Sequence, residues 1–215
     1  MNILLPVPNF CKNNAKTNYN GQYWRKIMQK YRNDEKVRQI MLVRYIGGYR
    51  AITQFYTKKV EENNAWSLLF EECSYIGKKG IGKTREGDGK TPVGDYGVKF
   101  AFGIRHNPGT SLKYININKT TYACSDFKNY NQIIDVSGNI IGCRGEEMFA
   151  YSPEYNYGLF IDYNKNNIYG RGSSVFVHCK GCAPFTEGCV ALGENNMKKA
   201  IITAEKEMRV VIGKY

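Results

Sequence analysis

The chain holds two histidines and seven cysteines, and one pairing among them has the types and spacing for covalent chemistry. His178 closes the apolar run GSSVFVHC (172–179), and Cys189 follows eleven residues later inside TEGCVAL (186–192). An unperturbed thiol, with a pKa of about 8.5, is only a few per cent thiolate at neutral pH, so a cysteine nucleophile needs a base to take its proton. An imidazole within hydrogen-bond reach can do this. Gly188, directly before the cysteine, permits close approach to the backbone, whose N–H groups can then stabilise an oxyanion. A helix beginning a few residues downstream would add its N-terminal dipole. On this reading Cys189 is the thiol expected to be alkylated first.

The same residues admit two other readings. His178 and Cys189 can be buried residues near a strand end. Alternatively H-C-x-x-C-x(6)-C supplies His178, Cys179, Cys182 and Cys189, four ligands of the kind zinc takes. Neighbours on an extended strand point to opposite faces, which makes joint coordination by His178 and Cys179 awkward, and no metal is expected. The odd cysteine count leaves at least one thiol outside any intramolecular pair.

A further motif misleads. Residues 77–84, GKKGIGKT, satisfy G-x-x-x-x-G-K-[ST] at every position. A phosphate-binding loop requires a helix to begin at that Lys-Thr, with its N-terminus facing the phosphates. Here REGDGKTPVGDYG follows, and each interior Gly costs a helix about 1 kcal/mol and an interior Pro about 3. No helix is expected, and so no nucleotide site.

The elements that must position the pair are mostly strands. Tyr23, Trp24, Ile27, Met28 and Tyr31 recur at helical spacing. Strand-like runs follow at 39–46, 49–58 and 66–76, the first two separated by Gly47-Gly48 in the manner of a hairpin. Shorter strand candidates are LKYININ and YGLFIDYN. Residues 195–208 read as a helix and 209–213 as a last strand. The Tyr-rich stretch 114–169 reads as core and turn filler, with stacking on sugar rings as its alternative.

GDGKTPVGDYG (87–97), FAFGIR (100–105) and GSSVFVHC…TEGCVAL (172–192) together resemble the YkuD-type L,D-transpeptidase catalytic domain. The pieces NPGTSLKY, DFKNYNQ and LFIDYN fall between them in the expected order. The resemblance runs from about Gln39 to the C-terminus. It implies a mainly β fold with a few helices, a β-sandwich or pseudobarrel, over 39–215, preceded by a polar segment and amphipathic helix over 1–38. It also implies Cys189 as nucleophile, His178 as base, a backbone carbonyl around Cys179 orienting the imidazole, and oxyanion N–H groups from Glu187, Gly188 and Cys189. The implied substrates are peptidoglycan stem peptides, with no cofactor, in an extracytoplasmic setting. Three departures stand out: Glu187 where many members have His, Ala191 where many have Arg, and a short loop between base and nucleophile. Without that Arg a substrate carboxylate needs another anchor, and Lys180 is the nearest candidate in sequence.

Thirty-one Lys and Arg against 19 Asp and Glu leave a formal charge of +12, which favours an anionic partner such as a wall polymer. No nucleic-acid reading element accompanies that charge, so no nucleic-acid partner is expected. No run approaches the ~18 apolar residues of a transmembrane helix. MNILLPVPNF has no positive n-region, so no secretory signal is read there.

Overall fold

The computed structural model describes residues 22–59, 61, 63–137 and 143–214. Among these described residues, twelve strands and two α-helices follow in chain order. Helix α1 (Gln22–Arg32) leads into β1 (Gln39–Gly47), β2 (Arg50–Lys59) and β3 (Ala65–Tyr75). After a long irregular segment come β4 (Gly94–Gly103), β5 (Tyr114–Asn116), β6 (Thr121–Cys124), β7 (Gln132–Asp135), β8 (Gly145–Glu147) and β9 (Gly158–Ile161). Strands β10 (Phe176–Cys179) and β11 (Val190–Leu192), helix α2 (Glu194–Thr203) and β12 (Arg209–Gly213) complete the chain.

The main sheet runs β12-β1-β2-β3-β11-β10-β9-β4-β5, and β4 pairs back to β12. Eight strands therefore close into a ring, with β5 attached outside through β4. Closure removes the open edges that a sheet this wide would otherwise present. The expected pseudobarrel is the observed architecture.

Strand β1 is buried at five consecutive positions because its two faces serve two cores. Met41 and Val43 join the barrel interior, where Phe55, Leu159, Val177 and Leu192 pack. Ile40 and Leu42 instead meet Trp24, Ile27 and Tyr31 of α1. The amphipathic helix is thus seated on the barrel wall through its apolar stripe, as the three- and four-residue spacing requires. Helix α2 plugs the barrel with Met197, Ala200 and Ile201. It ends at Thr203, five residues before the end read from the sequence, and Ala204 is already extended. The Gln39 side-chain oxygen accepts the Glu205 N–H at 3.2 Å, diverting the chain toward β12.

A separate three-stranded sheet, β7-β6-β8, stands beside the barrel. A Cys124–Cys143 disulfide ties the end of β6 to the residues just ahead of β8.

Candidate active site

Strands β10 and β11 lie side by side and parallel, with Val177 opposite Val190 and His178 opposite Ala191. Alternation along each strand sends Val177, Cys179, Val190 and Leu192 into the barrel core. The other face carries Phe176, His178, Cys189 and Ala191. His178, Cys189 and Ala191 line one cleft of about 670 Å³, with Tyr155 and Glu146 on its wall. Cys189 and His178 are thus offset by one pleat on the same face of neighbouring chain segments.

The His178 Nδ1 lies 2.7 Å from the Cys179 carbonyl. A carbonyl only accepts, so Nδ1 carries the proton and Nε2 is left with its lone pair. Tyr155 packs edge-on against the imidazole at 5.5 Å. Burial pushes the imidazole pKa below its ordinary 6.5, only partly offset by the Cys179 carbonyl and Glu154, so the ring is a neutral base. The Cys189 thiol donates to the Ser174 carbonyl at 3.3 Å, and the Phe176 N–H donates to its sulfur at 3.3 Å. Burial pushes this thiol up to about 12, with the Phe176 N–H and the Lys83 charge pulling the other way. The resting pair is therefore neutral thiol and neutral imidazole rather than an ion pair.

Two threonines hold the backbone of Cys189. Thr186 Oγ1 donates to the Cys189 carbonyl at 2.7 Å and accepts the Gly188 N–H at 3.1 Å. Thr91 Oγ1 donates to the same carbonyl at 3.2 Å and accepts the Gly77 N–H at 2.8 Å. The segment that mimics a phosphate loop is the collar behind this arrangement. Lys83 and Asp88 form an ion pair at 3.0 Å, the two side chains only 3% and 8% exposed. Asp88 also accepts the N–H groups of Thr84, Arg85 and Lys90. Burial alone would raise this carboxyl, but those donors and Lys83 outweigh it and hold it well below the usual carboxylate range. Gly188 is required where the collar meets the nucleophile loop. Its φ is +154°, and a β-carbon there would sit 2.9 Å from the Lys90 carbonyl.

The family model of the L,D-transpeptidase catalytic domain, YkuD, matches residues 67–212, more than half of the chain. The chain belongs to this family. No curated protein sequence matches it. Among solved structures it is similar to the helical cell shape determining protein Pgp2 of Campylobacter jejuni, at 19% identity and a TM-score of 0.43. That alignment covers 87% of this chain and 53% of Pgp2, so the chain spans about half the length of that neighbour.

Within this L,D-transpeptidase domain not every residue singled out in the sequence meets the cleft. Lys180 does not line it. Its ammonium donates to the Cys73 carbonyl, pairs with Glu72 at 3.5 Å and lies over the Tyr75 ring. The reason is that Lys180 leaves β10 on the side of β3, where a buried carboxylate needs a partner. The structure thus does not bring Lys180, the anchor expected from the sequence, to the cleft. The basic residues that do line the cleft are Lys83, committed to Asp88, and the exposed Arg144 just ahead of β8. Glu187 reaches outward to Lys78 at 2.7 Å, and the Gly188 N–H is already given to Thr186. The four-ligand zinc set does not converge. The Cys179 thiol faces the barrel core and donates to the Tyr157 carbonyl, while Cys182 is exposed. The group of described residues with ligand atoms mutually in reach is Cys124, Asp126 and Cys143, two of which are bonded to each other.

Asp88, Thr91 and Thr186 were not singled out from the sequence as functional. A local signal existed for two of them. Asp88 accepts the N–H two residues on, as does Thr186, which is how Asx and Ser/Thr turns announce themselves in D-G-K and T-E-G.

Proposed function

We propose that the protein is a cysteine-dependent L,D-transpeptidase that acts on peptidoglycan stem peptides through a Cys189 thioester. The observation that carries this reading is the fixed tautomer of His178, whose Nε2 shares one cleft with the Cys189 thiol. As the donor tetrapeptide enters, the thiol leaves the Ser174 carbonyl and gives its proton to Nε2 while sulfur attacks the carbonyl of the L-centre at position three. The C–N bond to the terminal D-alanine breaks, and Nε2 returns the proton to the leaving amine. A side-chain amine of a second stem then attacks the thioester, loses its proton to Nε2 and releases Cys189 as a thiol, giving a 3→3 crosslink. The Cys189 amide is the oxyanion donor in this scheme, joined by the Gly188 amide once it turns from Thr186. Arg144 holds the substrate carboxylate in place of the Arg that Ala191 replaces.

Work on the wall implies an extracytoplasmic setting, where the +12 charge would hold anionic wall polymers close. Purified muropeptides incubated with the protein, with mass spectrometry of products and of the protein, test the reading. An acyl adduct on Cys189 and crosslinked dimers are expected. A tripeptide product without dimers makes water the acceptor and the protein an L,D-carboxypeptidase. Full turnover by a folded Cys189→Ala variant ends the acyl-enzyme mechanism.

A further inference from the structure

Phe127 is 80% exposed and Tyr169 is 58% exposed, unusual for rings of this size. They are not scattered. Phe127 meets Tyr169 edge-on at 5.5 Å, and Tyr169 in turn leans on Tyr130 at 5.0 Å, so three rings form one stepped strip. Its inner end is anchored to the cleft. Tyr130 is buried, and its hydroxyl donates to Glu86, which also accepts from Ser173 Oγ at 2.8 Å. Glu86 and Ser173 line the catalytic cleft, as does Ser125, two residues before Phe127. The strip therefore begins where the cleft wall ends.

We propose that Phe127 and Tyr169 are the docking surface for the glycan strand that carries the stem peptide, an inference that rests on the peptidoglycan reading above. Three stem residues span at most about 11 Å, so a sugar chain tethered to a peptide seated at Cys189 must lie close to the cleft mouth. A pyranose ring offers an apolar C–H face and a rim of hydroxyls. The strip offers it aromatic faces, with the exposed Lys128 next to Phe127 in the chain and the exposed Arg171 two residues after Tyr169. An aromatic patch interleaved with charge suits sugar better than it suits a protein interface, whose centre is depleted of charge.

The test uses peptide-free glycan strands as sediment, with the full-length protein and its Phe127→Ser/Tyr169→Ser variant, in about 0.5 M salt so that bulk charge attraction is screened. Both rings are exposed, so the variant should fold, and an unchanged melting curve verifies this. The wild type is expected to co-sediment and the variant to lose at least about five-fold in binding. In a second arm the variant should lose a similar factor in kcat/KM on disaccharide-linked tetrapeptide and nothing on the bare tetrapeptide. Equal sedimentation of both proteins, or none by either, overturns the inference. If the glycan binding is lost in the variant while no stem peptide is turned over by the wild type, the surface stands and the catalytic reading falls.

Discussion

The Phe176 N–H points at the Cys189 sulfur from 3.3 Å, so the strand that carries the base also grips the nucleophile. A backbone donor to sulfur favours thiolate, yet burial still holds the thiol at about 12. In the proposed mechanism, activation therefore belongs to the moment of attack, when Nε2 accepts the proton, and not to the resting state.

This reverses the alkylation order expected from the sequence. At pH 7 a thiol pushed up by burial in this way is almost wholly protonated. Iodoacetamide should modify the exposed Cys182 ahead of Cys189 in substrate-free protein, and modification of Cys189 should speed up about tenfold per pH unit between pH 7 and 10. Peptide mapping by mass spectrometry reads both. Prior labelling of Cys189 would mean that a thiolate–imidazolium pair already exists.

Replacing His178 with Gln should slow thioester formation by ~10²–10⁴. The imidazole acts as base only when neutral, and burial has lowered its pKa below 6.5. Wild-type kcat/KM should thus persist as pH falls through 6.5 and drop only in more acid solution. An acid limb at or above 6.5 would contradict the buried, neutral imidazole.

Asp88→Asn strands the Lys83 ammonium, which is only 3% exposed, and should cost ~3–5 kcal/mol of stability at pH 7. The folded pKa of Asp88 is depressed, so its contribution is complete above the unfolded value of about 4 and is lost as pH falls below it. The difference in denaturant midpoint between wild type and variant should narrow from pH 5 to about pH 2. A gap that does not change with pH would place the effect elsewhere.

Lys180→Ala and Arg144→Ala separate structural from substrate charge. Lys180→Ala should leave kcat/KM on tetrapeptide within about threefold but lower stability by ~1–3 kcal/mol, because Glu72 keeps its burial and loses its cation. Arg144→Ala should do the opposite, weakening transition-state binding by ~1.5–3 kcal/mol with the melting temperature unchanged. Amidating the substrate's terminal carboxylate should abolish the difference between wild type and Arg144→Ala. Additive losses would remove Arg144 from that carboxylate.

Strands β1 to β3 and β12 were legible to within a residue or two, because runs of β-branched and aromatic residues and a Gly-Gly turn are local signals. Cys189 and His178 were legible as a candidate pair, and their shared face follows from the pleat once the strands are known to be neighbours. The destination of Lys180 was not. Its acceptor at Cys73 lies 107 residues away on β3, and nothing local tells a lysine which neighbour it will find. The Thr91 contact with Cys189 spans 98 residues and was hidden for the same reason. The helix over 195–208 was read too long because its apolar spacing continues through Ala204 and Met208, whereas a side chain from β1 ends the helix.

The floor and one wall of the cleft belong to different sheets. His178 and Cys189 stand on the barrel, whereas Ala123, Arg144, Gly145 and Glu146 stand on or beside the small sheet tied by Cys124–Cys143. The candidate pair and the charged wall that faces it are thereby contributed by two pieces of architecture. The small sheet is packed on the ring through Ala123, Ile133 and Met148, which meet Phe102, Phe160 and Phe176, so its exposed positions, such as Arg144, are the ones that can change without disturbing sulfur and imidazole. For an engineer, those exposed positions are the ones to randomise when a different ligand is wanted.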